Sequence, residues 1–182
     1  MMRVHSPPLA HGRPLPLPMP HDSTTQAIET AIARHGHRPG ALLPLLHDLQ
    51  QALGYIPADA LPRIAGALNL SRAEVYGVVT FYHHFRQSPP GRHVLRICQA
   101  EACQSMGAAA LTAHAQQRLG CALHATTADG TFTVEPVYCL GLCAQSPACM
   151  LDDDVYARMT PQRLDRLLHA AEGDDVAEQA PA

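Results

Sequence analysis

Two short cysteine segments decide the fold of this chain: Cys98-Gln-Ala-Glu-Ala-Cys103 and Cys139-Leu-Gly-Leu-Cys143. Each follows a run of residues that predicts a β-strand, so each pair of thiols is expected where the chain leaves a sheet. Thiolates bind soft metals, and four of them complete a closed site. In a [2Fe–2S] cluster each iron takes two protein thiolates. The two segments supply thiols in that ratio.

Other uses of these cysteines stay open on spacing alone. Zinc is the main competitor, although zinc ribbons prefer two residues between paired cysteines, and these pairs enclose four and three. Disulfide or thiol chemistry is a further alternative. Gly141 lies inside the second segment and favours a cluster, because a glycine lets backbone N–H groups approach a sulfur atom.

The residues around the cysteines predict a β-α-β-β-α domain over 91–171. The expected strands cover 92–98, 131–134 and 147–151, with a return strand at 155–156. A helix is expected over 103–119 with Gly120 as its stop, and a last helix opens at Thr160-Pro161. Asp152-Asp-Asp154 is expected to form a turn, because it lacks the spaced ligands of a calcium loop.

Residues 23–87 have the apolar spacing of a small helical bundle. Ser23-Thr-Thr25 is expected to cap the first helix, and Gly54 to end the second. Ser71-Arg-Ala-Glu74 is a capping-box signature for a fourth helix. Ser88-Pro-Pro-Gly91 then separates the bundle from the second domain. The predicted fold class is therefore α+β, a helical bundle followed by a domain built on a sheet.

The two ends of the chain have a different composition. Residues 1–22 include the run Pro14-Leu-Pro-Leu-Pro-Met-Pro20, and this range is expected to be a flexible, extended arm. Residues 172–182 are acidic and rich in Ala, and they are expected to be a frayed tail.

Composition excludes several classes of function. The 13 basic residues are all Arg, there are 16 acidic residues, and the net charge is −3, so a nucleic-acid partner is not expected. Five Tyr, three Phe and no Trp provide no platform for stacking bases. No apolar run is long enough to span a membrane, and no secretory signal is evident. A cytoplasmic location is expected, where spaced cysteines bind metal more often than they form disulfides.

Further motifs accompany the cysteines. They are Leu53-Gly-Tyr-Ile-Pro57, Ala73-Glu-Val-Tyr-Gly-Val-Val-Thr-Phe-Tyr82, Cys139-Leu-Gly-Leu-Cys143-Ala-Gln-Ser-Pro147, and the segment 152–168 with Tyr156 and Thr160-Pro161. With the cysteine spacing, these motifs resemble the thioredoxin-like [2Fe–2S] ferredoxin family. That family includes the small iron–sulfur subunit of respiratory complex I and its relatives in NAD-reducing hydrogenases and formate dehydrogenases. The resemblance runs from about Ala41 to His169.

The resemblance implies a cofactor, a ligand set and a fold. It implies one [2Fe–2S] cluster held by Cys98, Cys103, Cys139 and Cys143, within a thioredoxin-like domain over 91–171. It also implies that the helical domain over 23–87 and the N-terminal arm are docking surfaces.

The resemblance also implies a function, which is one-electron transfer beside the FMN of a flavoprotein partner that binds NAD. Segment 98–104 resembles most the gamma subunit of NAD-dependent formate dehydrogenase. The whole assembly would then oxidise formate to CO2 and reduce NAD, with a Mo- or W-pterin in the catalytic subunit. The equivalent diaphorase subunit of a hydrogenase or of complex I is the alternative. A zinc-stapled interaction module and a freestanding ferredoxin or iron–sulfur sensor are alternatives of other classes.

Some residues of chemical interest fall outside this scheme. The chain has no glycine-rich dinucleotide fingerprint and no evident nucleophile with its base, so it is not expected to bind NAD or to turn over substrate itself. Cys121 and Cys149 are expected to pack as small hydrophobic residues. Glu101 lies inside the first cysteine segment, where its negative charge would disfavour adding an electron to a cluster.

Overall fold

The computed structural model describes residues 21–178, so nearly all of the Pro-rich arm predicted over 1–22 lies outside the described residues. The chain divides into two compact units, a helical unit that ends at Gly91 and a mixed unit that begins at Arg92. Each unit has its own hydrophobic core.

Four helices make up the helical unit. They are α1 (His21–His35), α2 (Leu42–Leu53), α3 (Ala60–Leu68) and α4 (Arg72–Phe81). Their inward faces supply the fully buried side chains of the core, among them Ile28, Leu45, Leu49, Ile64 and Val75. The aliphatic residues recur at helical spacing, which is why each helix has one apolar face.

Local signals explain how these helices begin and end. The Ser71 hydroxyl accepts from the Glu74 N–H over 3.1 Å, and the Glu74 carboxylate accepts from the Ser71 N–H over 2.8 Å, which confirms the predicted capping box. Gly54 ends α2 with φ of 82°, as expected. The cap predicted at residues 23–25 is wrong, because α1 already begins at His21 and includes them.

The mixed unit contains a sheet with helices from three segments of the chain. Its elements are β1 (His93–Cys98), α5 (Glu101–Ser105), α6 (Ala108–Leu119), β2 (Ala125–Thr126), β3 (Phe132–Val137), β4 (Cys149–Leu151), β5 (Asp154–Tyr156) and α7 (Pro161–Glu178), with a 3-10 turn at Cys143–Gln145. The strand order is β2-β3-β1-β4-β5. Only β1 and β3 pair in parallel, and the other neighbours are antiparallel. This architecture confirms the predicted α+β class.

One face of the sheet forms the core of this unit. Leu95 and Ile97 of β1 are fully buried, and they pack with Leu111 of α6 and with Leu164 and Leu168 of α7. Val94 and Cys98 on the opposite face of this central strand are buried as well, so β1 has buried side chains on both faces of the sheet. The predicted turn at residues 152–154 is confirmed in outline, since residues 152 and 153 join β4 to β5.

Three details of this unit differ from the sequence-based expectation. The helix expected over 103–119 is split, because Gly107 has φ of 95° and separates α5 from α6. Strand β2 was not expected, since two residues give no periodic signal and pairing with β3 defines it. Helix α7 continues to Glu178, through residues expected to fray, and so extends a helix that packs in the core through Leu164, Leu168 and Ala171. The remaining tail, 179–182, lies outside the described residues.

Across the part of the chain that the structure describes, every helix is too short or too polar to cross a membrane.

Candidate metal centre

The sheet topology brings the two cysteine segments to the same end of the sheet. Strands β1 and β3 run parallel with Cys98 opposite Val137, so the chain leaves both strands on the same side. Strand β4 is antiparallel to β1, with Cys149 opposite Ile97, and therefore starts at that same end of the sheet. The second cysteine segment connects β3 to β4. Both thiol pairs consequently lie on loops that share this end of the sheet.

Backbone hydrogen bonds continue the ladder into the loops. The Cys98 N–H donates to the Ala148 carbonyl over 3.1 Å, and the Gln99 N–H donates to the Val137 carbonyl over 2.7 Å. The first loop is therefore bonded on one side to the end of β3 and on the other to the segment that enters β4. These bonds fix the position of Cys98 relative to both ends of the second loop.

A side-chain network holds the first loop against α6. The side-chain amide of Gln99 donates to Thr112 Oγ1 over 2.9 Å, and its Oε1 atom accepts from the side-chain amide of Gln104 over 2.7 Å. Thr112 is buried and donates to the Ala108 carbonyl over 2.8 Å. The sequence analysis missed this network, because amides and hydroxyls at these positions have no spacing that distinguishes them from surface residues.

The first pair, Cys98 and Cys103, is buried, with each residue 2% exposed. Ala108 and Ala148 complete the buried cluster around these thiols, and Leu140 and Leu142 pack against it. Burial is the main cause that raises the pKa of Cys98, and a hydrogen bond with Cys103 adds to it. Burial also opposes ionisation of Cys103, but contacts with Ser146, Cys98 and the Ala148 N–H outweigh it and lower the pKa of that thiol. The two thiols of this pair are therefore within hydrogen-bonding reach of each other.

The second pair, Cys139 and Cys143, is exposed, and its Sγ atoms lie 3.7 Å apart. The Gly141 N–H donates to Cys139 Sγ over 3.4 Å, which confirms the role expected of this glycine, and Gly141 has φ of 77°. Cys139 itself has φ of 121°, a conformation that side-chain-bearing residues rarely adopt and that concentrates at functional sites. The neighbouring Cys139 thiol is the main cause that raises the pKa of Cys143.

Electrostatic coupling links the two pairs. Besides Cys139, both Cys103 and Cys98 lie near enough to raise the pKa of Cys143 through their charge. Within residues 21–178, however, no three His, Cys, Asp or Glu side chains converge closely enough to surround a single ion. The four thiols therefore lie as two neighbouring pairs.

The donor set fits a binuclear iron–sulfur cluster. Such a cluster takes two thiolates for each iron and is stabilised by hydrogen bonds to its sulfur atoms. Here two thiol pairs adjoin each other, an apolar cluster surrounds one of them, and backbone N–H groups point at sulfur atoms in both loops. Cys98, Cys103, Cys139 and Cys143 could hold the group in this arrangement.

The remaining cysteines, Cys121 and Cys149, belong to neither thiol pair. Cys149 is fully buried in the core of the mixed unit, where burial raises its pKa to about 12. Cys121 follows α6, and partial burial raises its pKa. Both positions confirm the expected packing role. Glu101 is the first residue of α5 and is exposed, so solvent screens its charge.

Comparison with known proteins places this chain in a family. The family model described as thioredoxin-like [2Fe-2S] ferredoxin matches residues 28–172. An NADH-quinone oxidoreductase subunit of Pseudomonas aeruginosa is 35% identical over 149 residues, which cover 82% of this chain and 90% of that protein. The subunit of the same name from Escherichia coli is 34% identical over 79% of this chain and 86% of that protein.

Hydrogenases provide further relatives. The NADP-reducing hydrogenase subunit HndA of Solidesulfovibrio fructosivorans is 31% identical over 85% of this chain and 87% of that protein. Among solved structures, the chain matches an NAD+-reducing [NiFe]-hydrogenase with a TM-score of 0.59 and 29% identity. The match covers 75% of this chain, which spans only 22% of that hydrogenase chain.

A thioredoxin-like α+β domain with two thiol pairs at one end of its sheet defines a class of proteins, the electron-transfer ferredoxins with a binuclear cluster. The sequence match covers most of the helical unit as well as this domain. The chain belongs to the thioredoxin-like [2Fe–2S] ferredoxin family, and it carries one [2Fe–2S] cluster.

Proposed function

We propose that Cys98, Cys103, Cys139 and Cys143 are the four cluster ligands, two for each iron. The observation that carries this proposal is their arrangement as two pairs on loops that lie at the same end of the sheet. The buried pair and its apolar neighbours would exclude water from one side of the site, whereas the exposed pair lies at the surface. When bound, a [2Fe–2S] cluster accepts and releases one electron at a time.

The proposed function of the chain is electron transfer beside a flavin. Its partner is a flavoprotein subunit that binds FMN and NAD, since flavins connect two-electron hydride transfer with one-electron carriers. The relatives support a partner of this kind by their names, which are those of an NADH-quinone oxidoreductase subunit and an NADP-reducing hydrogenase subunit. The helical unit is proposed to dock on other subunits, and the assembly to reside in the cytoplasm.

The parent complex is proposed from the same relatives. They favour a diaphorase module of the kind found in NADH-quinone oxidoreductase or in an NAD(P)-reducing hydrogenase over the formate dehydrogenase expected from the first loop. A NAD-dependent formate dehydrogenase with a Mo- or W-pterin catalytic subunit remains the second candidate. Its support is the resemblance of segment 98–104 to the gamma subunit of that enzyme.

Purification of the chain with its natural partners tests the electron-transfer role. The proposal expects a co-purifying flavoprotein with FMN and an EPR signal of this chain's cluster that NADH reduces. Reduction by hydrogen would assign a hydrogenase, reduction by formate would assign a formate dehydrogenase, and reduction by NADH alone would favour the quinone-linked complex. A colourless chain that binds zinc and carries no iron or acid-labile sulfide would overturn the proposal in favour of a zinc-stapled module.

A further inference from the structure

One hydroxyl group contacts both cysteine pairs. Ser146 Oγ lies 3.5 Å from Cys103 Sγ, and it donates to the Cys143 carbonyl oxygen over 2.8 Å. Ser146 thus joins the buried pair through a ligand sulfur and the exposed pair through the backbone. In the free thiol state the Cys103 S–H donates to Ser146, while Ser146 donates its single proton to Cys143.

Loss of the Cys103 proton changes what this hydroxyl faces. A cysteine binds metal as the thiolate, which only accepts hydrogen bonds. The Ser146 oxygen would then face an anionic sulfur at 3.5 Å with lone pairs alone, and that arrangement is repulsive. Rotation about the Cβ–Oγ bond turns the hydroxyl proton to the sulfur without moving either heavy atom. An anionic acceptor binds a donor more strongly than a neutral carbonyl does, so this rotation is favoured.

We infer that Ser146 donates a hydrogen bond to the thiolate of Cys103 when the cluster is bound, and that this bond raises the cluster's reduction potential. The inference rests on the proposed ligand set. An added electron makes the ligand sulfurs more negative and strengthens any hydrogen bond that they accept. The donor therefore stabilises the reduced state more than the oxidised state. Ser146 is a positioning residue in this sense, acting through the Cys103 sulfur.

Ser146 differs from the other donors at this site because substitution can remove it. The Gly141 N–H that reaches Cys139 belongs to the backbone and survives every side-chain change. Ser105 offers a matched control, because its hydroxyl also lies near a ligand loop but donates to the Ala102 carbonyl over 2.9 Å. Its removal costs one hydrogen bond and leaves both thiol pairs untouched.

A redox titration of the iron-loaded full chain tests the inference. We expect Ser146→Ala to keep its iron and sulfide and to lower the ratio of reduced to oxidised cluster about fivefold to tenfold at a fixed ambient potential. A tenfold change corresponds to a midpoint shift of about 59 mV for one electron. Ser146→Thr keeps the hydroxyl and should have the wild-type midpoint potential. Ser105→Ala should have it as well. An unchanged midpoint in Ser146→Ala with full iron would overturn the inference.

Vibrational spectra give a second readout that a purely structural role would not move. The Fe–S stretching bands of wild type and Ser146→Thr should shift more on transfer to D2O than those of Ser146→Ala, because the Ala variant lacks the exchangeable hydroxyl proton that is hydrogen-bonded to a ligand sulfur. If Ser146→Ala fails to retain iron, Ser146→Gly provides the same comparison. Loss of iron in both, with retention in Ser146→Thr, would assign the hydroxyl a part in building the loop and overturn the tuning role.

The two proposals fail in different ways. A wrong ligand set appears as full iron retained by Cys103→Ala, whatever residue stands at position 146. A wrong role for Ser146 appears as an unaltered midpoint in Ser146→Ala while Cys103→Ala still loses iron.

Discussion

The backbone N–H of Cys98 donates to the carbonyl oxygen of Ala148 over 3.1 Å, so the first cysteine of one loop is bonded to the end of the other. This bond extends the pairing of β1 with β4 one residue past their last pair, Ile97 and Cys149. Because the two loops continue adjacent strands, they cannot move apart without breaking the ladder. The geometry of the site therefore depends on the strand pairing of the sheet as well as on the cysteines.

Removal of the charge at Glu101 should raise the midpoint potential of the cluster. Glu101→Gln takes away a carboxylate at the start of α5, within the first loop, and a negative charge opposes an added electron. Since Glu101 is exposed and screened, we expect a rise of tens of millivolts, where about 59 mV corresponds to 1.4 kcal/mol. A redox titration followed by EPR measures it.

Asp153→Asn is the control for that titration. Asp153 is exposed in the β4–β5 turn, at the end of β4 that points away from the cysteine loops, and its loss changes the net charge equally. An unchanged or lower midpoint in Glu101→Gln would count against the predicted effect, as would an equal rise in Asp153→Asn.

A methyl group at Gly141 should strain the second loop. Gly141 has φ of 77°, a conformation that costs an L-residue about 1–2 kcal/mol, and no neighbouring atom lies within 4 Å of the place that an added Cβ atom would take. We expect Gly141→Ala to lower the free energy of unfolding of the iron-loaded chain by about that amount in a urea titration. The loss should come from the backbone conformation, because the methyl group meets open space.

Gly66→Ala is the matched control for the glycine experiment. Gly66 lies within α3 and also faces open space, but it has helical φ, so the same change should stabilise the chain by up to about 1 kcal/mol. Equal effects of the two substitutions would argue against backbone strain at Gly141.

Acid should remove the stabilisation that the ionised Asp129 carboxylate gives to the folded chain. The hydroxyls of Thr127 and Thr131, together with the Thr131 N–H, lower the pKa of Asp129 from 3.8 to about 2. The ionised form is therefore favoured in the folded chain, and the stabilisation is complete above about pH 4. As the pH falls from about 4 toward 2, the unfolded chain takes up the proton first and the stabilisation is lost.

The comparison with Asp129→Asn measures this effect. The free energy of unfolding of wild type should exceed that of the variant most at about pH 5 and above, and the difference should shrink as the pH approaches about 2. Both chains carry the same cysteines, so acid loss of iron affects both alike. A difference that stays constant from about pH 6 to about pH 3 would contradict the prediction.

Cys149 should be chemically inert in the folded chain. Burial raises its pKa to about 12, and its thiol has no access to solvent. We expect iodoacetamide at about pH 8 to leave Cys149 unlabelled in the iron-loaded protein and to label the partly exposed Cys121 faster, as measured by peptide mass spectrometry. Both should react in urea. Labelling of Cys149 as fast as Cys121 under native conditions would place it outside the core.

Local chemistry made much of the fold predictable. The capping box at Ser71 and Glu74 and the stop at Gly54 depend on residues near in sequence, so their spacing alone identifies them. The pairing of the site cysteines was likewise readable, because two thiols on one loop are neighbours in any fold. The short apolar run with Val94, Leu95 and Ile97, which follows the break at 88–91, likewise identified β1 as a strand.

Features that depend on distant contacts were not predictable. The break between α5 and α6 lies inside an Ala-rich run that favours an unbroken helix, and it occurs at Gly107, whose backbone is left-handed. Strand β2 exists only through its pairing with β3. Ser146 and Gln99 contact the site from positions whose importance appears only once the two loops meet.

Iron content of single cysteine variants tests the central claim most directly. Each of Cys98→Ala, Cys103→Ala, Cys139→Ala and Cys143→Ala should lose bound iron and acid-labile sulfide, because a cluster with three thiolates lacks one ligand and alanine has no donor atom to replace it. Cys121→Ser and Cys149→Ala should keep two irons and two sulfides per chain. Full iron in any of the first four variants would contradict the proposed ligand set.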